Sequence, residues 1–164
     1  EIIDEVRINN ISIHSSKITE LLQNGNIQTA NKLLGREFSI IGKHIEGQKL
    51  GRKKLVPTIN IHFENYITPK NGVYLTKTVI QNQEFNSISF LGIRQTTDNQ
   101  FSLETYILNH SLEFKNFGEI ETKFIKFLRE NIKFNSIDSL KKAIQNDISQ
   151  AKSYFENPIS KETL

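Results

Sequence analysis

Thr58 and Asn60 stand two residues apart in the stretch VPTINIHF, Val56 to Phe63. With the period of two of a β-strand they point the same way as Val56 and His62, while Pro57, Ile59, Ile61 and Phe63 point the other way. A threonine hydroxyl beside an asparagine amide offers neutral oxygens, which suit a hard cation such as Mg2+ or a phosphate oxygen. The same spacing also describes a solvated polar stripe on an edge strand, where a proline at the strand start is tolerated. In SLETYIL, Ser102 to Leu108, Glu104 lies between apolar neighbours with Tyr106 on its own face. A carboxylate so placed can take a proton from an attacking hydroxyl. More often a glutamate in such a pattern simply points to water or pairs with a lysine.

A third stretch, GQKLGRKK, sets Gly47 and Gly51 among Lys49, Arg52, Lys53 and Lys54. Backbone amides in a glycine-containing loop, joined by positive charge, can approach phosphates; a solvated basic face fits the same residues. The pattern is not a Walker loop, because G-x-x-x-x-G-K-[ST] occurs nowhere, and G-x-G-x-x-G is absent too. His14, His44, His62 and His110 show no metal-ligand spacing, and surface or structural roles suit each. Nothing supports Ser-His-Asp catalysis. With no cysteine in the chain, disulfides, thiolate metal sites and cysteine nucleophiles are excluded.

The elements that must position these residues follow from periodicity and turn signals. Ile18, Leu21 and Leu22, then Ile27, Ala30, Leu33 and Leu34, predict a helical hairpin over Ser16 to Leu34, with Gly25 and Gly35 ending its helices. From residue 38 the pattern becomes strand-like, predicting strands at Phe38 to His44, Thr58 to Phe63, Gly72 to Ile80, Glu84 to Leu91, Ser102 to Leu108 and Ile120 to Leu128. Short strands with no helix between them argue for an antiparallel barrel or sandwich. A last helix is expected from about Ile137 to Phe155, capped by Ser136, its apolar stripe interrupted by Asp147. The tail from 158 to 164 reads as frayed.

The bulk properties agree with such a domain. The chain has 164 residues, 37% of them hydrophobic, with 11 Phe and 3 Pro, and its net charge is only +3. No apolar run approaches the roughly 20 residues that span a bilayer, so a cytoplasmic location without membrane contact is the expectation. A nucleic-acid partner is disfavoured, because single-strand sites interleave aromatics with cations and Lys49 to Lys54 contains none. The chain begins at Glu1 and has no Met, which reads as a piece of a longer polypeptide.

Taken in order, these segments resemble the riboflavin kinase module of bacterial bifunctional FAD synthases. LLGREFSIIGKHIEGQKLGR (Leu33 to Arg52) matches the opening pattern, PTIN (Pro57 to Asn60) the Pro-Thr-Ala-Asn hallmark, and NGVYLTKT from Asn71 the GVY strand. LGIRQT from Leu91, LETYIL from Leu103 and the run from Phe124 to Phe155 complete a match over about 37 to 155. IHSSKITELLQNGNIQTANKLLG, from Ile13, is similar to the end of the family's adenylyltransferase domain, with Thr19 where an arginine is usual.

The resemblance implies a mainly β fold: a six-stranded antiparallel, Greek-key-like barrel with a C-terminal α-helix, preceded by a short helical hairpin. It divides the chain into residues 1–36, the tail of an adenylyltransferase-type domain, and 37–157, the kinase barrel and helix. It implies ATP-dependent phosphorylation of riboflavin to FMN, with Mg2+ accompanying ATP and the adenylyltransferase domain as a covalent partner. This chain by itself is then not expected to adenylylate FMN. Carried over by position, Glu104 is the catalytic base and Thr58 the Mg2+ ligand, with Asn60 beside it. Gly42, Gly47, Gly51 and Arg52 belong to the segment that folds over the nucleotide, and Arg94 and Arg129 border the flavin. Departures from the family pattern are Leu55 for a glycine, Ile59 for alanine, Gln95 for proline and Ala143 for glutamine. They allow an alternative, a catalytically impaired flavin- or nucleotide-binding module of the same fold.

Overall fold

The computed structural model describes residues 7–8, 11–12, 15–46, 56–96, 99–110 and 117–157. Two short strands, β1 (Arg7–Ile8) and β2 (Ile11–Ser12), pair with each other and were not expected from the sequence. The helical hairpin follows as α1 (Ser15–Gln23) and α2 (Ile27–Leu34). Gly35 ends α2 in the left-handed region at φ 66°, where a residue without Cβ pays no steric penalty.

Six strands come next in the chain: β3 (Phe38–Ile45), β4 (Ile59–His62), β5 (Gly72–Ile80), β6 (Gln83–Ile93), β7 (Phe101–Ile107) and β8 (Glu119–Glu130). They correspond one for one to the expected strands. They close into a barrel in the order β3-β4-β7-β6-β5-β8, every pair antiparallel. Strands β5, β6 and β7 run as a meander, and β4 returns beside β7, which is the Greek-key arrangement. Gln81 and Asn82 form the β5–β6 turn with φ 49° and 65°, the positive values that let a two-residue loop match the strand twist.

Alternation along the strands sorts residues between lumen and outer wall. Ile40, Ile59, Ile61, Tyr74, Leu91, Leu103, Ile107, Ile120 and Phe124 form one buried cluster. Among them run hydroxyls that the sequence pattern did not flag: Thr78 to Ser87 at 2.7 Å, Ser87 to Thr76 at 2.8 Å, Thr76 to Ser89 at 2.8 Å and Ser89 to Thr105 at 2.7 Å. Each is buried yet hydrogen-bonded, which offsets the cost of removing it from water.

Both helical parts complete the core. Leu21, Leu22, Ile27, Ala30 and Leu33 of the hairpin belong to the same cluster as the lumen residues. Asn31 fastens the hairpin, donating to the Phe124 carbonyl at 2.8 Å and accepting from the Phe38 amide at 2.8 Å. Helix α3 (Ile137–Glu156) starts at Ser136, whose hydroxyl accepts from the Ser139 amide at 3.1 Å, and packs Ile148 and Ala151 on the outer wall against Val73, Leu75, Ile88 and Leu108.

Candidate active site

Strand β7 carries Leu103, Thr105 and Ile107 buried on its inner side, so Ser102, Glu104 and Tyr106 face outward. Glu104 has β4 on one side and β6 on the other: its register partners are Asn60 and Phe90. Thr58, just before β4, and Asn60 therefore meet Glu104 on the outer wall, while Ile59 and Ile61 fill the lumen. The face assignment from the period of two holds. It also places Ile59, the bulky replacement for the family's alanine, on the opposite side of the wall from the polar residues.

The carboxylate is held at both ends. Oε2 accepts from the Thr58 hydroxyl at 3.3 Å. Oε1 accepts from the Arg94 guanidinium at 2.8 Å and from the Ser102 hydroxyl at 3.2 Å. The side chains of Arg94 and Glu104 are 21% and 19% exposed, so the ion pair is only partly screened by water while remaining open to a ligand. Arg94 reaches this position because the β6–β7 hairpin folds back, its amide bonding to the Gln100 carbonyl at 2.9 Å and its carbonyl receiving the Asn99 amide at 3.1 Å. Val56, Phe90 and Tyr106 form an apolar border shared with the cluster beneath α3.

The other expected site residues are spread more widely. Gly42 lies in β3 opposite Ile120, and a Cβ there would run into the His62 carbonyl oxygen and the Ile61 side chain, so the close approach of β3 and β4 requires its bare backbone. Gly47, Gly51 and Arg52 lie outside the described residues, as do Leu55 and the lysines around them. Arg129, near the end of β8, turns to α3: its Nε and Nη2 donate to the Asp147 carboxylate at 2.7–3.0 Å, Nη1 donates to the Glu130 carbonyl, and the guanidinium stacks over Phe134 at 5.6 Å. The acidic break in the α3 stripe is thus an ion pair tying helix to barrel, with Asp147 only 4% exposed.

Two further contacts join the Arg94 hairpin to the segment between β8 and α3. Asn131 donates to the Ile93 carbonyl at 2.6 Å, and the Phe134 amide donates to the Thr96 hydroxyl at 3.2 Å. Sequence reasoning missed the grip of Arg94 and Ser102 on Glu104. For Ser102 the signal was available, since it stands two residues from Glu104 and shares its face. The Arg94 contact depends on how the hairpin folds back, and no local pattern encodes that.

The donor chemistry here fits Mg2+ carried on a nucleotide. Thr58 and Asn60 supply neutral oxygens next to one carboxylate, as suits an ion that takes most of its ligands from phosphate and water. The sequence matches the family described as Flavokinase: Riboflavin kinase over residues 34–155. The chain belongs to the riboflavin kinase family. A curated relative, the bifunctional riboflavin kinase/FMN adenylyltransferase of Haemophilus influenzae, is 36% identical over 148 residues, covering 88% of this chain and 47% of the relative. The chain thus spans about half the length of the curated relatives it matches. Among solved structures, one described as a macrolide-efflux protein from Streptococcus pneumoniae is similar at TM-score 0.78 and 25% identity, over 92% of this chain and 50% of the other. Riboflavin kinase from Trypanosoma brucei shares the fold at TM-score 0.53 and 18% identity, over 73% of this chain and 80% of the other. The riboflavin kinase match begins at residue 34, the last residue of α2, and α1 and α2 are packed into the barrel's own core.

Proposed function

We propose that the chain transfers the γ-phosphoryl group of ATP to the 5′-hydroxyl of riboflavin, giving FMN and ADP. The observation that carries this reading is the meeting of Thr58, Asn60 and Glu104 on one outer face of the barrel, within a family match that spans the site. Phosphoryl transfer depends on positioning and on neutralising charge more than on covalent chemistry, and a rigid sheet wall suits that need.

In this mechanism Glu104 accepts the proton of the ribityl hydroxyl as its oxygen bonds to the γ-phosphorus, and the β–γ bridging oxygen departs with ADP. Thr58 and Asn60 would hold Mg2+ and the phosphates. The ion, when bound, neutralises phosphate charge as it shifts to the leaving group. Gly42 lies at the base of the segment proposed to cover the nucleotide, with Gly47, Gly51 and Arg52 further along. The hairpin of Arg94 leads to Gln95, which with Lys70, Asn71 and Asn131 borders a cleft of about 480 Å3, of a size that suits a cofactor-like ligand. We place the flavin on this side, with Arg94 and Arg129 at its border.

Residues 1–36 are proposed as the tail of an adenylyltransferase-type domain, by analogy with the bifunctional relatives, and residues 37–157 as the kinase module. No described helix is long and apolar enough to cross a membrane, and a cytoplasmic location is proposed. The experiment is direct: the protein is incubated with riboflavin, ATP and Mg2+ and the flavins are resolved by chromatography. FMN should accumulate with ADP in equal amounts. Folded protein that binds flavin without making FMN would leave only a binding module.

A further inference from the structure

We infer that Arg94, with Ser102, is a positioning residue that fixes which oxygen of Glu104 receives the substrate proton. The inference rests on the kinase reading above and deepens it. A carboxylate oxygen has about two lone-pair directions. Arg94 and Ser102 both donate to Oε1, at 2.8 and 3.2 Å, and so fill it. Among the described residues, Oε2 accepts only from Thr58, at 3.3 Å. The vacant direction is therefore on Oε2, the oxygen beside the residue proposed to meet Mg2+ and the phosphates.

The geometry makes this a matter of orientation. A guanidinium–carboxylate contact is directional and charge-assisted, so it restrains rotation of the carboxyl plane as well as holding the side chain in place. Ser102 reaches the same oxygen from within β7, and Arg94 reaches it from the returning end of β6. One donor stands within β7 and the other just past the end of β6, and they converge on one atom. With both removed, the long Thr58 contact alone would hold the carboxylate, which could turn to present either oxygen, and the alignment of base, hydroxyl and phosphorus would be lost for much of the time.

The test compares the wild-type chain with Arg94→Ala, Arg94→Lys and Ser102→Ala, measuring FMN formation over a range of riboflavin and Mg-ATP concentrations, with thermal unfolding as a check on folding. Arg94→Ala should lower kcat by about 10²-fold, the loss that a misplacement of about 1 Å produces, with the KM for Mg-ATP little changed. Arg94→Lys should recover part of the rate, as should free guanidinium added to Arg94→Ala below denaturing concentration, and Ser102→Ala should show a smaller loss of kcat. If Arg94→Ala does not fold, the lysine and Ser102 variants carry the comparison. An unchanged kcat in Arg94→Ala, or a raised riboflavin KM at constant kcat, overturns the inference; the second result assigns Arg94 to flavin binding. A wild-type chain that makes no FMN overturns the kinase reading itself.

Discussion

Asn60 and Glu104 are direct register partners across the β4–β7 ladder, so an amide and a carboxylate lie side by side on the outer wall of the barrel. That relationship makes the stretch PTIN intelligible. Its polar residues face the Glu104 carboxylate, and its isoleucine faces the core.

If Glu104 is the base, Glu104→Gln keeps the shape of the side chain and removes its ability to accept a full proton. Turnover should fall by about 10² to 10⁴, the usual contribution of general-base catalysis. ATP binding, followed by calorimetry, should change little. A variant that keeps its rate would refute the assignment.

Thr58→Val replaces a hydroxyl by a methyl of similar volume. The expected outcome is a higher KM for Mg-ATP and a need for more Mg2+ to reach the maximal rate, because one neutral oxygen near the phosphates is gone. Steady-state kinetics across a Mg2+ titration reads both. An unaltered Mg2+ dependence would remove Thr58 from the metal's surroundings.

Gly42→Ala separates structure from nucleotide contact. Its Cβ meets backbone of β4 rather than a flexible side-chain end, so the strands must part. The loss should be of stability, about 1–3 kcal/mol as for other overpacked positions, read as a lower denaturant midpoint. A variant of normal stability with a raised ATP KM would instead give Gly42 a direct role at the nucleotide.

Arg129 and Asp147 form a mostly buried pair between β8 and α3. Arg129→Met leaves the Asp147 carboxylate buried without its partner and should cost about 3 kcal/mol or more, whereas the double change Arg129→Met with Asp147→Leu should cost far less. Chemical denaturation of the two variants decides the matter. Equal losses would mean that the pair's charges do not interact strongly.

Tyr74 sits in the lumen and donates its hydroxyl to the Lys70 carbonyl, and burial pushes that hydroxyl well above the ordinary tyrosine value of 10.0. The folded state then holds the phenol proton more tightly than the unfolded state. Its contribution is complete below about pH 10 and is lost as pH rises above that value toward the folded one. Thermal midpoints measured from pH 8 to pH 11 should fall more steeply for the wild-type chain than for Tyr74→Phe. Parallel curves would contradict the linkage.

How much of this was legible in the sequence depended on whether the signal was local. The six strands, both hairpin helices and α3 were readable because alternation, helical spacing and turn residues are written into short windows. So was the shared face of Thr58 and Asn60. What escaped were contacts set by closure of the barrel. The lumen covers Thr76 and Thr78, which bond to Ser87 and Ser89 across the sheet. Asp147 looked like a flaw in an apolar stripe until Arg129, 18 residues earlier, supplied the charge that explains it. The hairpin's leucines share the barrel's core, a packing that no local window of the sequence encodes.

The place of β7 between β4 and β6 has a final consequence. Because the backbone around Glu104 is laced on both sides, it cannot travel toward a ligand; only the carboxylate tip can move. On the kinase reading, any induced fit would then belong to the substrates rather than to this wall, with the sheet acting as the stationary reference to which they are brought.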